Sequence, residues 1–112
     1  MKVEGDFLRG YTDAIILSVL DEADNYGYQI NSHITTITDE KLRLTEATLY
    51  TSFKRLESDG FIVSYWQDGT NTKRKYYSIT TEGKKYLAIY KKIWGENKKI
   101  IDKFLGGYEN EK

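Results

Sequence analysis

A chain of 112 residues with no cysteine is the size of one small domain, and it has no disulfide framework and no thiolate for metal or nucleophilic chemistry. At 39% hydrophobic and 30% charged it suits a soluble folded protein, and no apolar run approaches the roughly 18 residues of a membrane span. The formal net charge is zero, but it is unevenly spread. Residues 1–40 hold two Lys/Arg against eight Asp/Glu, residues 41–75 seven against four, and residues 76–112 eight against five. The middle of the chain is therefore locally positive, and any affinity for a polyanion should be modest and salt-sensitive. Met1 to Arg9 mixes acids, bases and glycine with no signal-peptide pattern, so the expected compartment is the cytoplasm. Proline is absent, which leaves glycines and caps to delimit the helices.

From Asp6 to Ala23, Leu8, Ile15, Ile16, Val19 and Leu20 recur at helical spacing and predict a first helix. Asp21, Glu22, Asp24 and Asn25 end it in a turn. Tyr26-Gly27-Tyr28 opens a second helix through Ile30, Ile34 and Ile37. Its many β-branched residues make its propensity weak, so packing must hold it. It should brace the next helix and offer its N-terminus, beside Tyr28, to a phosphate. Asp39 to Arg43 is a charged link, and Leu42 and Leu44 alternate into the core as a short strand or extended segment.

Thr45 to Gly60, TEATLYTSFKRLESDG, reads as a helix of about four turns. The Thr45 hydroxyl suits an N-cap and Gly60 a left-handed stop. Leu49, Phe53 and Leu56 make one buried face. The opposite face carries Ala47, Thr51, Lys54 and Ser58, flanked by Thr48, Tyr50 and Arg55. A helix that needed only solubility would more often show Glu–Lys pairs there. A face of short, hydroxylated and basic side chains instead fits a DNA major groove. Tyr50 lies near the edge of the buried face, where a structural tyrosine and a DNA contact are both open readings.

Phe61, Ile62, Val63, Tyr65 and Trp66 form a β-rich run. Gln67 to Thr72 is a turn cluster centred on Asp68-Gly69, and Lys73, Arg74 and Lys75 lead into Tyr76, Tyr77, Ser78 and Ile79. This is a hairpin with a cationic edge. Helix, hairpin and cations in that order predict a mainly α fold with a small β-hairpin, a winged helix-turn-helix. Thr48, Tyr50, Thr51 and Lys54 should meet the major groove, and Lys73, Arg74 and Lys75 the backbone or minor groove.

Thr80 or Thr81 caps a last helix, with Glu82 in its first turn, that runs to about Leu105. Tyr86, Tyr90, Ile93, Asn97, Ile100 and Phe104 follow a 3.5-residue repeat, the seam of a coiled coil. Leu87, Trp94, Ile101 and Leu105 form a second stripe. Two apolar stripes need the first helix and a partner subunit to cover them. The predicted organisation is a winged unit over residues 1–79 and a dimerisation helix with a fraying tail over 80–112. A twofold homodimer implies a pseudo-palindromic double-stranded operator.

These segments resemble the PadR-type transcriptional regulators. The resemblance rests on YGYQI at Tyr26 to Ile30, EATLYTSFKRLESDG at Glu46 to Gly60, the Tyr65-Trp66 pair and RKYYSITTEG at Arg74 to Gly83. The Leu49-Tyr50 step and the long last helix are most similar to the small branch that includes a lactococcal multidrug-binding repressor. Ala47 stands where many relatives have glycine, which a helix accepts. The resemblance implies a dimeric repressor released by a planar hydrophobic molecule held against Trp94 at the dimer centre. Leu8, Thr12 and Ile15 would line that site with Asp13 as a charge partner. Lys98, where that relative has an acid, would repel cationic compounds.

No catalytic constellation accompanies this reading. His33 is the only histidine and has no Ser-His-Asp spacing, and neither a phosphate loop nor metal-ligand spacing is present. No enzyme activity and no cofactor are expected. The alternative is a winged helix that binds only proteins, which predicts a hairpin and reading helix without cations. Lys54, Arg55, Lys73, Arg74 and Lys75 argue against it.

Overall fold

The computed structural model describes residues 10–69 and 71–106. Leu8, the predicted helix start at Asp6 and the tail after Gly106 lie outside them. The elements run α1 Thr12–Glu22, β1 Asn25–Tyr26, α2 Gly27–Ile37, α3 Glu46–Ser58, β2 Ile62–Asp68, β3 Lys73–Ile79 and α4 Thr81–Leu105. This is the expected winged helix with its long last helix.

Helix α1 follows Gly10, at φ 91°, and buries Ile16, Leu17, Val19 and Leu20. The chain then makes a strand that the sequence reading missed. Asn25 and Tyr26 pair antiparallel with Tyr77 and Tyr76, so the hairpin becomes a three-stranded sheet of order β1-β3-β2. Two residues have no periodicity of their own, and only the β3 edge makes them a strand.

Helix α2 buries Gly27, Ile30, Asn31 and Ile34, whereas Ile37 is 63% exposed instead of continuing the buried stripe. The link that follows turns through Asp39 and Glu40, both at positive φ. It then presents Leu42 and Leu44 to the core without becoming a strand. The buried Asn31 amide takes the place of a neighbouring strand. Its Nδ2 donates to the Leu44 carbonyl at 2.7 Å, and the Leu44 N–H donates to its Oδ1 at 3.1 Å. Buried polar groups need such partners.

Helix α3 begins as its sequence specifies. The Thr48 N–H donates to the Thr45 hydroxyl at 3.1 Å. At the other end Gly60 sits at φ 81°, the Phe61 N–H reaches the Leu56 carbonyl at 2.9 Å and the Gly60 N–H the Glu57 carbonyl at 3.1 Å. That pair of bonds is a Schellman closure, which needs the left-handed residue. Phe53 stacks on Tyr77 of the sheet with ring centroids 4.0 Å apart. Gln67 and Asp68, expected in the turn, instead extend β2 opposite Arg74 and Lys73. The Asp68–Lys73 pair places opposite charges across the ladder, which favours pairing there.

Helix α4 is capped by Thr80, whose hydroxyl accepts from the Gly83 N–H at 3.0 Å and donates to the Gly60 carbonyl at 2.8 Å. Gly83 is buried so closely that a Cβ would overlap the Phe61 carbonyl. Phe61 stacks on Tyr86, centroids 4.4 Å apart. Beyond Leu87 the helix leaves the core, and Ile89, Ile93, Trp94, Ile100, Ile101 and Leu105 are all exposed.

Candidate nucleic-acid interface

The outer face of α3 presents Ala47, Thr48, Thr51, Lys54 and Ser58 to solvent. No ion pair engages Lys54 among the described residues. Tyr50 is 50% exposed, and it also has a packing role. Its ring meets Phe53 edge-on at 5.4 Å, and its hydroxyl lies over Gly27, where an added Cβ would come within 2.9 Å. Both open readings of Tyr50 thus have a structural basis. Tyr28, in the first turn of α2, is 72% exposed.

Arg55 turns away from this face. Its Nε and one terminal nitrogen grip the Asp13 carboxylate of α1, each at 2.8 Å, and the same terminal nitrogen lies 3.3 Å from the Ser52 hydroxyl. The hydrogen bond to Asp13 is the main reason its pKa rises above the ordinary arginine value. Such a two-pronged pair is geometrically specific. It ties α3 to α1 and occupies the Asp13 carboxylate that was expected to serve a ligand.

Strand alternation divides the three wing cations. Residues paired in register share a face of the sheet. Lys73 and Lys75 oppose Asp68 and Trp66, on the same face as Ile62, Ser64 and Tyr77. That face meets the core and α3: Ile62 and Tyr77 are buried, and the Ser64 hydroxyl donates to Glu57 of α3 at 2.6 Å. Arg74 opposes Gln67 on the other face, and its guanidinium lies 4.7 Å over the Tyr26 ring. Tyr65 shares that outer face, stacks on Tyr76 and donates to Asp24 at 2.7 Å, a bond that raises its pKa. The wing is thus anchored on both faces, and Lys73 and Lys75 project on the α3 side. Neither of those lysines has an ion pair among the described residues.

A second feature lies between α1 and α4, an open apolar groove of about 920 Å³. Of the predicted ligand residues, Ile15, Trp94 and Lys98 line it, and Thr12 and Asp13 do not. The reason is helical phase. Residues 11, 14, 15 and 18 share the α4 side of α1, and residues 12 and 13 fall off that stripe. Tyr11, absent from the predicted set, is central. It meets Tyr90 and Trp94 edge-on, each at 5.4 Å, and its hydroxyl lies 3.3 Å from the Asn97 amide nitrogen. Its spacing from Ile15 and Ser18 was the signal that could have found it. Lys98 lies 3.4 Å from Asp102, one turn on, so its charge is partly offset. Among the described residues no helix is long and apolar enough to cross a membrane, and no group of three His, Cys, Asp or Glu could hold a metal ion.

The model of the PadR-like transcriptional regulator family matches residues 16–89. A transcriptional regulator from Clostridium thermocellum superposes with a TM-score of 0.85 at 48% identity, over 90% of this chain and 99% of that one. A PadR family transcription regulator from Clostridium difficile R20291 does so with a TM-score of 0.75 at 39% identity, over 87% and 100%. An uncharacterised protein of Lysinibacillus sphaericus is 45% identical over 108 residues, 96% of this chain and 99% of its own length. The match spans most of the chain, including the capped reading helix, the wing and the base of α4. The chain belongs to the PadR-like family of transcriptional regulators.

Proposed function

We propose that the protein is a homodimeric repressor that binds a pseudo-palindromic operator and is released by a planar hydrophobic ligand, as in the multidrug-binding branch of the family. The observation that carries the DNA half is the side shared by α3 and the wing. There Lys54, Lys73 and Lys75, none of them in an ion pair among the described residues, stand around a face of small hydroxyl-bearing residues, with the Lys75 ammonium 5.7 Å from the Tyr77 ring. Thr48, Thr51 and Lys54, with the exposed half of Tyr50, read the major groove. Tyr28 and the α2 N-terminus meet a phosphate. Lys73 and Lys75 hold the backbone beside the wing, and Arg74 adds charge from its far side. Phosphate contacts position the protein and base contacts select the sequence. Bound at a promoter in the cytoplasm, such a dimer represses by occlusion.

The exposed apolar half of α4 supports the dimer. Six large side chains left half in water forfeit on the order of 5 kcal/mol, comparable to the whole stability of a small domain. Packing α4 against its copy, with the helix after residue 80 as the dimerisation unit, recovers that surface. Trp94, 50% exposed on the groove, then faces its twofold mate, and a flat molecule fits between the two indoles. Ile15 and Tyr11 complete the wall.

The test combines light scattering with mobility shifts on the region upstream of the protein's own gene. A dimer mass and a discrete shift are expected, and a monomer at micromolar protein rules the arrangement out. Lys73→Ala should weaken all sequences alike and lower the salt slope by about one, whereas Thr51→Ala should narrow the gap between operator and random DNA. The reverse pattern would mean the two elements have exchanged roles. Planar compounds should quench Trp94 in a Trp66→Phe background and lower operator affinity. Quenching without any loss of operator affinity would remove the effector from the proposal.

A further inference from the structure

Trp66 is 64% exposed and makes no aromatic ring pair among the described residues, on a ribbon whose tyrosines are stacked or hydrogen-bonded. An isolated exposed aromatic is ordinary, so its position has to decide. Trp66 opposes Lys75, and the next pair on the same face is Asp68–Lys73. Two residues back toward the core, Ser64 is bonded to α3. At about 3.3 Å of rise per strand residue, the indole stands roughly 7 Å from that bond, between the reading helix and the wing tip. It therefore occupies the α3 side of the ribbon, with both wing lysines that project there as its neighbours.

We propose that Trp66 contacts DNA, packing its indole on the sugar-phosphate strand between the groove entered by α3 and the groove entered by the wing tip. This rests on the reading of the α3–wing side as the DNA face. With the helix in one groove and the tip in the next, the residue midway between them meets the strand that separates the grooves. The chemistry fits that strand. An indole offers a flat apolar face to deoxyribose and one N–H donor to a phosphate oxygen. Lys73 and Lys75, which share this face with Asp68, supply the positive charge that a bare indole lacks, and a polyanion complements it. Apolar side chains of minor-groove binders wedge between base steps, and aromatic rings stack on single-stranded bases in a sequence-tolerant way. Trp66 thus adds affinity without adding an ionic contact, and this separates it from the lysines beside it.

The experiment uses the full chain and a fluorescein-labelled random duplex at low salt, with anisotropy reporting binding. Trp66→Ala should weaken binding about tenfold, and Trp66→Phe less, with the salt slope unchanged in both. The emission difference between wild type and Trp66→Phe isolates Trp66, because both retain Trp94. That difference should shift on adding duplex and become protected from acrylamide. An affinity within twofold of wild type for Trp66→Ala, or a difference signal indifferent to bound DNA, overturns the proposal. If wild type itself fails to bind duplex, the DNA reading of this face fails too, so the two failures are told apart by the anisotropy of wild type.

Discussion

The α3–wing side and the distal half of α4 both face solvent, and their surfaces have opposite chemistry. The α3–wing surface is a finished one. Its backbone ends are capped by Thr45 and Gly60, most of its apolar residues point inward to Phe53 and Tyr77, and apart from Trp66 and Tyr50 it exposes mainly hydroxyls and ammonium groups. Polar groups of this kind, solvated or hydrogen-bonded, cost little to leave at the surface. The distal half of α4 exposes Ile89, Ile93, Trp94, Ile100, Ile101 and Leu105 along a helix that buries only Gly83 and Leu87 among its described residues. Such surface is costly to leave in water. Exposure alone therefore does not mark a binding face. A polar exposed face costs little in water, and an apolar one costs more.

The comparison breaks most visibly at the seam. Ile93→Asp combined with Ile100→Asp places two acids on the exposed apolar face of each copy. The expected result is a monomer by light scattering, with the winged unit still folded by circular dichroism. Operator affinity should fall about a hundredfold or more, because linked half-sites reinforce one another. A dimer that survives both substitutions would show that the partner surface lies elsewhere.

A smaller effect separates the regions by core. Tyr77 is buried under Phe53, and burial pushes its phenol up to about 12. Below pH 10 the phenol is neutral in both folded and unfolded chains, and its contribution is complete. Above that the unfolded chain releases the proton while the folded one keeps it to about pH 12. Stability should therefore fall across that window by about 2 to 3 kcal/mol. Urea melts of wild type and Tyr77→Phe measure it, and the phenylalanine variant should show a shallower decline. Equal slopes would mean that Tyr77 ionises freely. Burial also raises Tyr86 and Tyr90, at the base of α4, so some decline should remain in the variant.

The smallest effect is at the pair that ties α3 to α1. Asp13→Ala and Arg55→Ala should each cost about 0.5 to 1 kcal/mol, since Arg55 is half exposed and water screens the pair. Their double mutant should cost less than the sum, with the difference reporting the coupling. Arg55→Ala should also leave the salt dependence of DNA binding unchanged, unlike Lys73→Ala. A lowered salt slope would return Arg55 to the DNA face.

Much of the fold was legible in the residues because it is local. The Thr45 and Thr80 caps, the Gly60 stop and the buried Leu49–Phe53–Leu56 face each depend on side chains within one or two turns of one another. The candidate site was less legible. Arg55 looked like a DNA-face cation until its partner, 42 residues away, was in view. Lys73, Arg74 and Lys75 looked like one basic run until the register put Arg74 over Tyr26 and the lysines on the α3 side. Asn31, polar in the middle of an apolar helix, gave no local hint of the Leu44 backbone it clamps.

By itself the sequence determined the four helices, the caps and stop of α3, the hairpin and the buried face of α3, because capping, periodicity and turn chemistry act over a few residues. Only the tertiary structure decided that Asn25 and Tyr26 are a strand, that Tyr11 rather than Thr12 or Asp13 lines the groove, and that Asp13 holds Arg55. In each case the free energy comes from a partner distant in the chain. A hydrogen-bonding edge, an aromatic face or an opposite charge is brought near only when the core closes, and no window of the sequence contains both members of the pair.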